Sequence, residues 1–85
     1  MPEISRFLGI VIYMYYRDHA PPHFHAVYNE YEAVVYLEDG VVEGKFPKRA
    51  LRAVLEWYEN HKTELVQNWK FAEEGAPLKR VAPLE

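Results

Sequence analysis

The chain has 85 residues, which is enough for one hydrophobic core and too few for two. Apolar residues make up 49% of it and aromatic residues 15%, which excludes a disordered chain, and the absence of cysteine excludes disulfides and thiolate metal sites. The net charge of -3 excludes a surface that is basic throughout, and no apolar stretch approaches the roughly 20 residues that span a bilayer.

The first half of the chain predicts a four-stranded antiparallel meander. Residues 4–16 are rich in β-branched and aromatic side chains, which predicts a first strand with a bulge or a close backbone approach at Gly9. Pro21 and Pro22 then interrupt any ladder of hydrogen bonds and predict a rigid loop. Three further strands are predicted at residues 23–28, 31–38 and 41–45, joined by turns at 29–30 and 39–40, the second of type I′.

The second half predicts helical structure packed on one face of that sheet. Pro47 suits the first turn of a helix, and apolar residues recur at helical spacing from Leu51 to Ala72. The pattern fits one long kinked helix or a helical pair. Asn60 and His61 favour a break between two helices, because Asn is a tolerated C-terminal cap.

Gly75 indicates the end of the helical region. We therefore expect one α+β domain over residues 1–75 and an extended C-terminal tail, packed or loose, over residues 76–85. No cationic segment precedes an apolar stretch, so we expect no signal peptide and a soluble cytoplasmic protein.

Three of the four histidines fall within seven positions, in the segment from Asp18 to His25. If residue 23 begins a strand, His23 and His25 project from the same face, because side chains alternate along a strand. Phe24 between them then points into the core. We therefore predict two neighbouring imidazoles, with Asp18 and His19 across the loop.

This cluster allows two functional interpretations and one structural interpretation. In the first, the histidines are a general acid and base, with Asp18 orienting a ring or Arg17 stabilising an anionic transition state, as cleavage of a phosphodiester would need. In the second, the two strand histidines join His19 or Asp18 in a three-ligand site for zinc or another first-row metal. In the third, the histidines cap backbone groups or pack against tyrosines. The candidate catalytic residues are Asp18, His19, His23 and His25.

A second group of candidate residues is basic. Four of the ten cations lie within eight residues around the start of the predicted helix, where the helix dipole and free N–H groups favour anions. The pattern allows two interpretations, a solvated helix face with Arg52 paired to Glu56 and a platform for RNA or phosphate. These four cations are Lys45, Lys48, Arg49 and Arg52. Together with Arg17 in the loop, the candidate phosphate-binding residues at this point are Lys48, Arg49 and Arg52.

Four sequence segments, taken together, form a specific pattern that covers nearly the whole chain. Residues 2–7 contain Ser-Arg-Phe, residues 12–19 run Ile-Tyr-Met-Tyr-Tyr-Arg-Asp-His, residues 21–26 run Pro-Pro-His-Phe-His-Ala, and Trp69 follows late in the predicted helix. Together they closely resemble the small bacterial domain-of-unknown-function family 4160. The matched positions are Arg6, Asp18, His19, Pro22, His23 and His25.

The resemblance implies a toxin-like role. Members of that family resemble components of two-gene bacterial toxin–antitoxin modules, often beside a second small domain that resembles a DNA-binding protein or an antitoxin. The resemblance also implies an antitoxin-like protein partner and favours RNA as the target. In this interpretation the histidines are the acid and base of a ribonuclease-like site, and Arg6, Arg17 or Arg49 holds phosphate. A non-catalytic protein-interaction module and a metal-binding domain are the alternatives. No membrane contact is expected and no cofactor is favoured. A first-row metal and a homo-oligomer are both left open.

Overall fold

A five-stranded antiparallel sheet and two helices make up the fold, which confirms the predicted α+β class. The strands are β1 (Glu3–Phe7), β2 (Ile10–Tyr13), β3 (His23–Tyr28), β4 (Tyr31–Tyr36) and β5 (Val42–Lys45). The computed structural model describes residues 2–84. Its strands lie side by side in chain order, and each pairs antiparallel with the next, so the sheet is a meander.

The prediction of one strand over residues 4–16 is wrong, because the chain reverses inside that segment. Leu8 and Gly9 form a two-residue turn between β1 and β2, with φ of 53° and 78°. Two consecutive positive φ values are typical of a tight hairpin whose twist matches that of the strands. Leucine rarely adopts this conformation, and the sequence lacks the Asn-Gly or Asp-Gly pair that usually indicates such a turn. The hairpin therefore has no clear signal in the sequence. Gly9 is therefore a turn residue rather than a bulge, and the predicted four strands become five.

The turn after β4 also differs from its prediction. A type I′ turn at residues 39–40 needs a positive φ at both positions, but Gly40 has one, at 75°, and Asp39 does not. Instead, residues 37–40 form a four-residue loop. The Tyr36 N–H donates to the Val41 carbonyl at 3.0 Å, and the Gly40 N–H donates to the Tyr36 carbonyl at 2.9 Å. The strand before this loop consequently ends earlier than predicted.

Two helices follow the sheet, α1 (Lys48–Asn60) and α2 (Lys62–Glu74). His61 separates them with φ of -130° and ψ of 24°, which is not a helical conformation. Gly75 ends α2 in the left-handed conformation, with φ of 73°. The predicted break and the predicted end of the helical region are both confirmed. Among the residues that the structure describes, no helix is long and apolar enough to cross a membrane.

Helix α1 covers one face of the sheet, and the opposite face, here called the open face, is contacted at one end by Trp69 of α2. On the covered face, Phe24 packs against Trp57 and Tyr58 of α1, with ring centroids 5.5 and 6.2 Å apart. All three side chains are buried. The open face carries a row of cross-strand neighbours, none fully buried, which are Tyr13, His25, Val34 and Glu43. Polar side chains on this open face can therefore meet a ligand.

Residues 76–84 run as an extended arm beside the core. Val81 is 4% exposed, and its N–H donates to the Ile4 carbonyl at 2.8 Å. Asn68 of α2 exchanges two hydrogen bonds with the backbone of Lys79, at 2.8 and 2.9 Å. The arm thus lies along β1, at one edge of the sheet.

Candidate functional site

The loop between β2 and β3 folds back and brings Asp18 to the histidines. Arg17 has a positive φ of 53°, and its N–H donates to the Ala72 carbonyl near the end of α2, at 3.2 Å. Asp18 Oδ1 accepts a hydrogen bond from the backbone N–H of His19 at 2.8 Å. These two hydrogen bonds hold the backbone around Asp18, whose second carboxylate oxygen faces the start of β3.

His23 is buried, and both of its ring nitrogens face oxygen acceptors. The residue is 5% exposed, and its ring packs against Trp69 of α2 with centroids 5.3 Å apart. Nδ1 donates to the Pro21 carbonyl at 2.7 Å, and Nε2 lies 2.9 Å from Oδ2 of Asp18. A neutral imidazole carries one N–H, so without a metal these two contacts together need a second proton.

His25 repeats this arrangement two residues along β3. Its Nε2 lies 3.5 Å from the same Oδ2 of Asp18, and its Nδ1 lies 3.3 Å from Oε2 of Glu32 on β4. The ring centroids of His23 and His25 are 5.2 Å apart, and Phe24 between them is buried on the other face. The predicted pair of neighbouring imidazoles is therefore confirmed.

Three possible ligand atoms converge on one point. One atom each from Asp18, His23 and His25 lies within 4.8 Å of the other two. Two ligands about 2.0–2.1 Å from a tetrahedral zinc ion lie about 3.3 Å apart, and the nitrogen-to-oxygen distances of 2.9 and 3.5 Å fall on either side of that value. The arrangement therefore fits one divalent ion bound by two histidines and a carboxylate.

The charge of Asp18 also suits a cation. Burial opposes the ionisation of this carboxyl group, but the backbone N–H of His19 and the rings of His25 and His23 outweigh it and lower the pKa of Asp18. Asp18 is therefore a carboxylate at neutral pH, which is the form that binds a metal.

His19 lies beside the cluster but at its rim. Its side chain is 89% exposed, and its Nδ1 lies 3.0 Å from Oδ1 of Asp18, the oxygen that faces away from the other two histidines. Of the four candidate catalytic residues, the structure thus brings together Asp18, His23 and His25 and leaves His19 next to solvent.

The cluster lines a cleft of about 450 Å³ on the open face of the sheet. Tyr15 packs edge-on against His25 with centroids 4.4 Å apart, and the Tyr36 hydroxyl donates to Oε1 of Glu43 at 2.8 Å. Burial raises the pKa of Tyr15, and the hydrogen bond to Glu43 raises the pKa of Tyr36, so both phenols are neutral at pH 7. Among the described residues that line the cleft, none is a lysine or an arginine.

Two of the predicted phosphate-binding arginines are held elsewhere. Arg17 is next to Asp18 in the sequence, but its guanidinium lies against Gly75 at the end of α2, where a cation complements the helix dipole. Arg6 forms an ion pair with Glu3 on β1 at 2.8 Å. Neither side chain lines the cleft.

The basic residues at the start of α1 lie at the opposite end of the sheet. Arg49 lines a groove together with Tyr28, the last residue of β3, whereas His23 is the first. A strand of that length spans about 17 Å. Lys48 and Arg52 are exposed on the same helix. The structure therefore separates the predicted phosphate-binding group from the histidine cluster.

A family model described as "Domain of unknown function (DUF4160)" matches residues 9–70. The chain belongs to this family. The DUF4160 match includes the whole cluster of Asp18, His23 and His25, and it leaves out residues 2–7, which carry the first part of the resemblance. Searches of the curated proteins and of the solved structures each found no significant match. The family description states no activity, so a function has to be argued from the geometry.

Glu32 and Trp69, which each contact one of the two strand histidines, are absent from the sequence-based list of site residues. The turn at residues 29–30 was predicted, and its register places Val27 opposite Glu32, so a same-face diagonal from His25 to Glu32 could have been derived. The contact between Trp69 and His23 joins residues 46 positions apart, and it has no local sequence signal.

Proposed function

We propose that this chain is a metal-dependent domain in which Asp18, His23 and His25 bind one divalent first-row transition ion, with zinc as the best fit. One observation carries the proposal. Both histidine Nε2 atoms face the same Asp18 oxygen, and both Nδ1 atoms face an oxygen acceptor. Metal-binding histidines typically show this arrangement, in which the outer nitrogen donates to a carbonyl or a carboxylate and the inner nitrogen faces the ion.

A bound ion would remove the need for a second proton in the two contacts of the His23 ring. With Nδ1–H donating to the Pro21 carbonyl, the neutral ring presents a lone pair at Nε2, which is the form that coordinates a metal. The ion would then lie between Nε2 and the Asp18 carboxylate, so no second proton is needed. The same argument applies to His25, whose Nδ1 faces Glu32.

The metal-free acid–base alternative is less well supported. Cleavage of RNA by two histidines needs an accessible nitrogen on each ring, because the proton donor and the acceptor must reach the substrate within hydrogen-bond distance. Here the Nε2 atoms of His23 and His25 face Asp18, and His23 is 5% exposed. The cleft also has no lysine or arginine in its described lining to hold a phosphate.

Three protein ligands leave at least one coordination position for water or substrate, which is typical of catalytic rather than structural zinc sites. A zinc ion held by these three residues would supply hydroxide near neutral pH and would polarise a carbonyl or phosphoryl oxygen. The cluster lines a cleft of about 450 Å³, which is large enough for a small ligand. Metal-assisted hydrolysis is therefore the reaction class that we assign to the centre.

Calorimetric titration with Zn²⁺ tests the proposal. We expect one ion per chain in the wild type and a loss of affinity of more than about 100-fold in His23→Ala and in His25→Ala, since each removes a ligand. His19→Ala is the matched control, because it removes an imidazole at the rim and should change the affinity less than about threefold. Circular dichroism of each variant establishes that it is folded. Equal affinity in all four proteins would overturn the proposal.

The toxin-like role that the family resemblance implies is the biological context that we propose for this centre. An antitoxin-like partner and an action on RNA stay predictions, and a non-catalytic protein-interaction module stays the alternative. The separation of Arg49 from the cluster favours a substrate other than RNA for the metal centre itself.

A further inference from the structure

The two edge strands of the sheet differ in whether another segment of the chain covers them. The C-terminal arm lies along β1, where the Val81 N–H donates to the Ile4 carbonyl and Arg80 reaches the Glu3 carbonyl at 3.2 Å. The other edge is β5, which among residues 2–84 pairs with β4 alone. Three of its four residues are exposed. An open strand edge presents backbone donors and acceptors that can pair with another strand.

The side chains of β5 are self-complementary in charge. Glu43 lies opposite Val34 and Lys45 lies opposite Glu32, so both charged side chains stand on the open face of the sheet, on either side of Gly44. Gly44 is required by its own sheet, since a Cβ at this position would lie 2.5 Å from the Glu32 carbonyl oxygen. Residues 43–45 of this edge are therefore an acidic residue, a glycine and a basic residue, with the smallest one at the centre.

We propose that two copies of this chain pair antiparallel along β5, about a two-fold axis that passes through Gly44. In this register Glu43 of each copy lies directly opposite Lys45 of the other, because 43 and 45 are equidistant from 44. Directly opposed side chains in a sheet have Cβ atoms about 4.5–5.5 Å apart, which is ion-pair range. A shift of the register by two residues would break both pairs, so the charges specify one alignment.

The pairing has a consequence for the cleft. Glu43 lines the cleft and accepts a hydrogen bond from the Tyr36 hydroxyl. Because Lys45 of the second copy would lie opposite Glu43, it would stand at the rim of each cleft. It would supply a cation that the described lining of the single chain lacks. This inference goes beyond the proposed function, and the pairing itself does not depend on a metal.

Sedimentation equilibrium of the full chain, from about 10 µM to 1 mM, tests the pairing. A strand edge of four residues buries less area than a standard interface, so we expect a weak dimer in this concentration range. Glu43→Lys and Lys45→Glu should each weaken it at least about tenfold, since each places like charges opposite one another at two positions. The double variant Glu43→Lys with Lys45→Glu restores both pairs and should return to within about threefold of the wild type.

The control is Glu74→Lys, an equal charge reversal at the exposed end of α2, which should not change the dimer. A wild type that is monomeric at every concentration would overturn the proposal, and so would a dimer that is indifferent to both single reversals. If a β5 variant fails to fold, hydrogen exchange of the wild type decides. Protection of the β5 amides must rise with protein concentration if this edge is paired.

Discussion

His25 Nδ1 lies 3.3 Å from Oε2 of Glu32, so a carboxylate from β4 holds the ring nitrogen that points away from Asp18. Outer partners of this kind orient a metal-binding histidine and increase its basicity. Glu32→Gln keeps the shape of the side chain but removes its charge. We expect this change to lower Zn²⁺ affinity by about 10–100-fold without removing the site.

The matched control is Glu30→Gln, in the turn of the same hairpin, where the side chain is exposed and removal of the charge should leave the affinity unchanged. Competition against a chromophoric chelator measures both variants. Equal affinity in the wild type and in Glu32→Gln, with the metal still bound, would show that Glu32 does not orient His25.

Asn68 is a buried residue that ties α2 to the C-terminal arm through the backbone of Lys79. Asn68→Ala removes two hydrogen bonds and leaves the Lys79 backbone groups without these partners, so we expect the free energy of unfolding to fall by about 2 kcal/mol. Gln67→Ala, at the exposed neighbouring position, should change it by less than about 0.5 kcal/mol. Urea unfolding followed by circular dichroism compares the two. Similar losses in both variants would mean that the arm is not held by Asn68.

The ion pairs of Glu3 predict how the stability of the folded chain changes at acid pH. Hydrogen bonds from Arg6 and then from Arg80 lower the pKa of Glu3 from 4.5 to about 2. Because the pKa is lowered in the folded chain, the contribution of Glu3 to stability is complete above pH 4.5 and is lost as the pH falls towards 2. Over this interval the wild type should lose stability more steeply than Glu3→Gln. Parallel curves for the two proteins would contradict the assignment.

The toxin-like role predicts growth arrest when the chain is expressed without a partner in a bacterial host. If the metal centre causes the arrest, His23→Ala and His25→Ala should each relieve it at equal expression level, and His19→Ala should not. Arrest that survives both ligand variants would separate toxicity from the metal centre and favour the interaction module. Growth unaffected by the wild type would contradict the toxin-like role.

Local patterns were sufficient for part of the site. Strand alternation correctly predicts that His23 and His25 share a face and that Phe24 enters the core. Helical spacing correctly predicts the helical region and allows a break at Asn60-His61, and the structure decides between one kinked helix and the two that are present. Each of these features depends on residues a few positions apart, where the backbone period decides the direction of the side chain.

The remaining features depend on contacts that no short pattern encodes. The hairpin at Leu8 and Gly9 uses a leucine in a conformation that leucine rarely adopts, so the strand count was wrong. Asp18 faces β3 in a loop whose Arg17 backbone is tied to Ala72, 55 positions later in the chain. The sequence offers both His19 and Asp18 as the third member of the cluster, and the choice of Asp18 depends on the tertiary structure.

Metal analysis of the chain, purified without a histidine tag and without chelator, tests the metal centre most directly. Elemental mass spectrometry of protein from a zinc-supplemented culture should find about one zinc per chain in the wild type and in His19→Ala, and none above background in Asp18→Asn. Wild-type protein that carries no stoichiometric first-row metal and shows no binding of added Zn²⁺ would contradict the account.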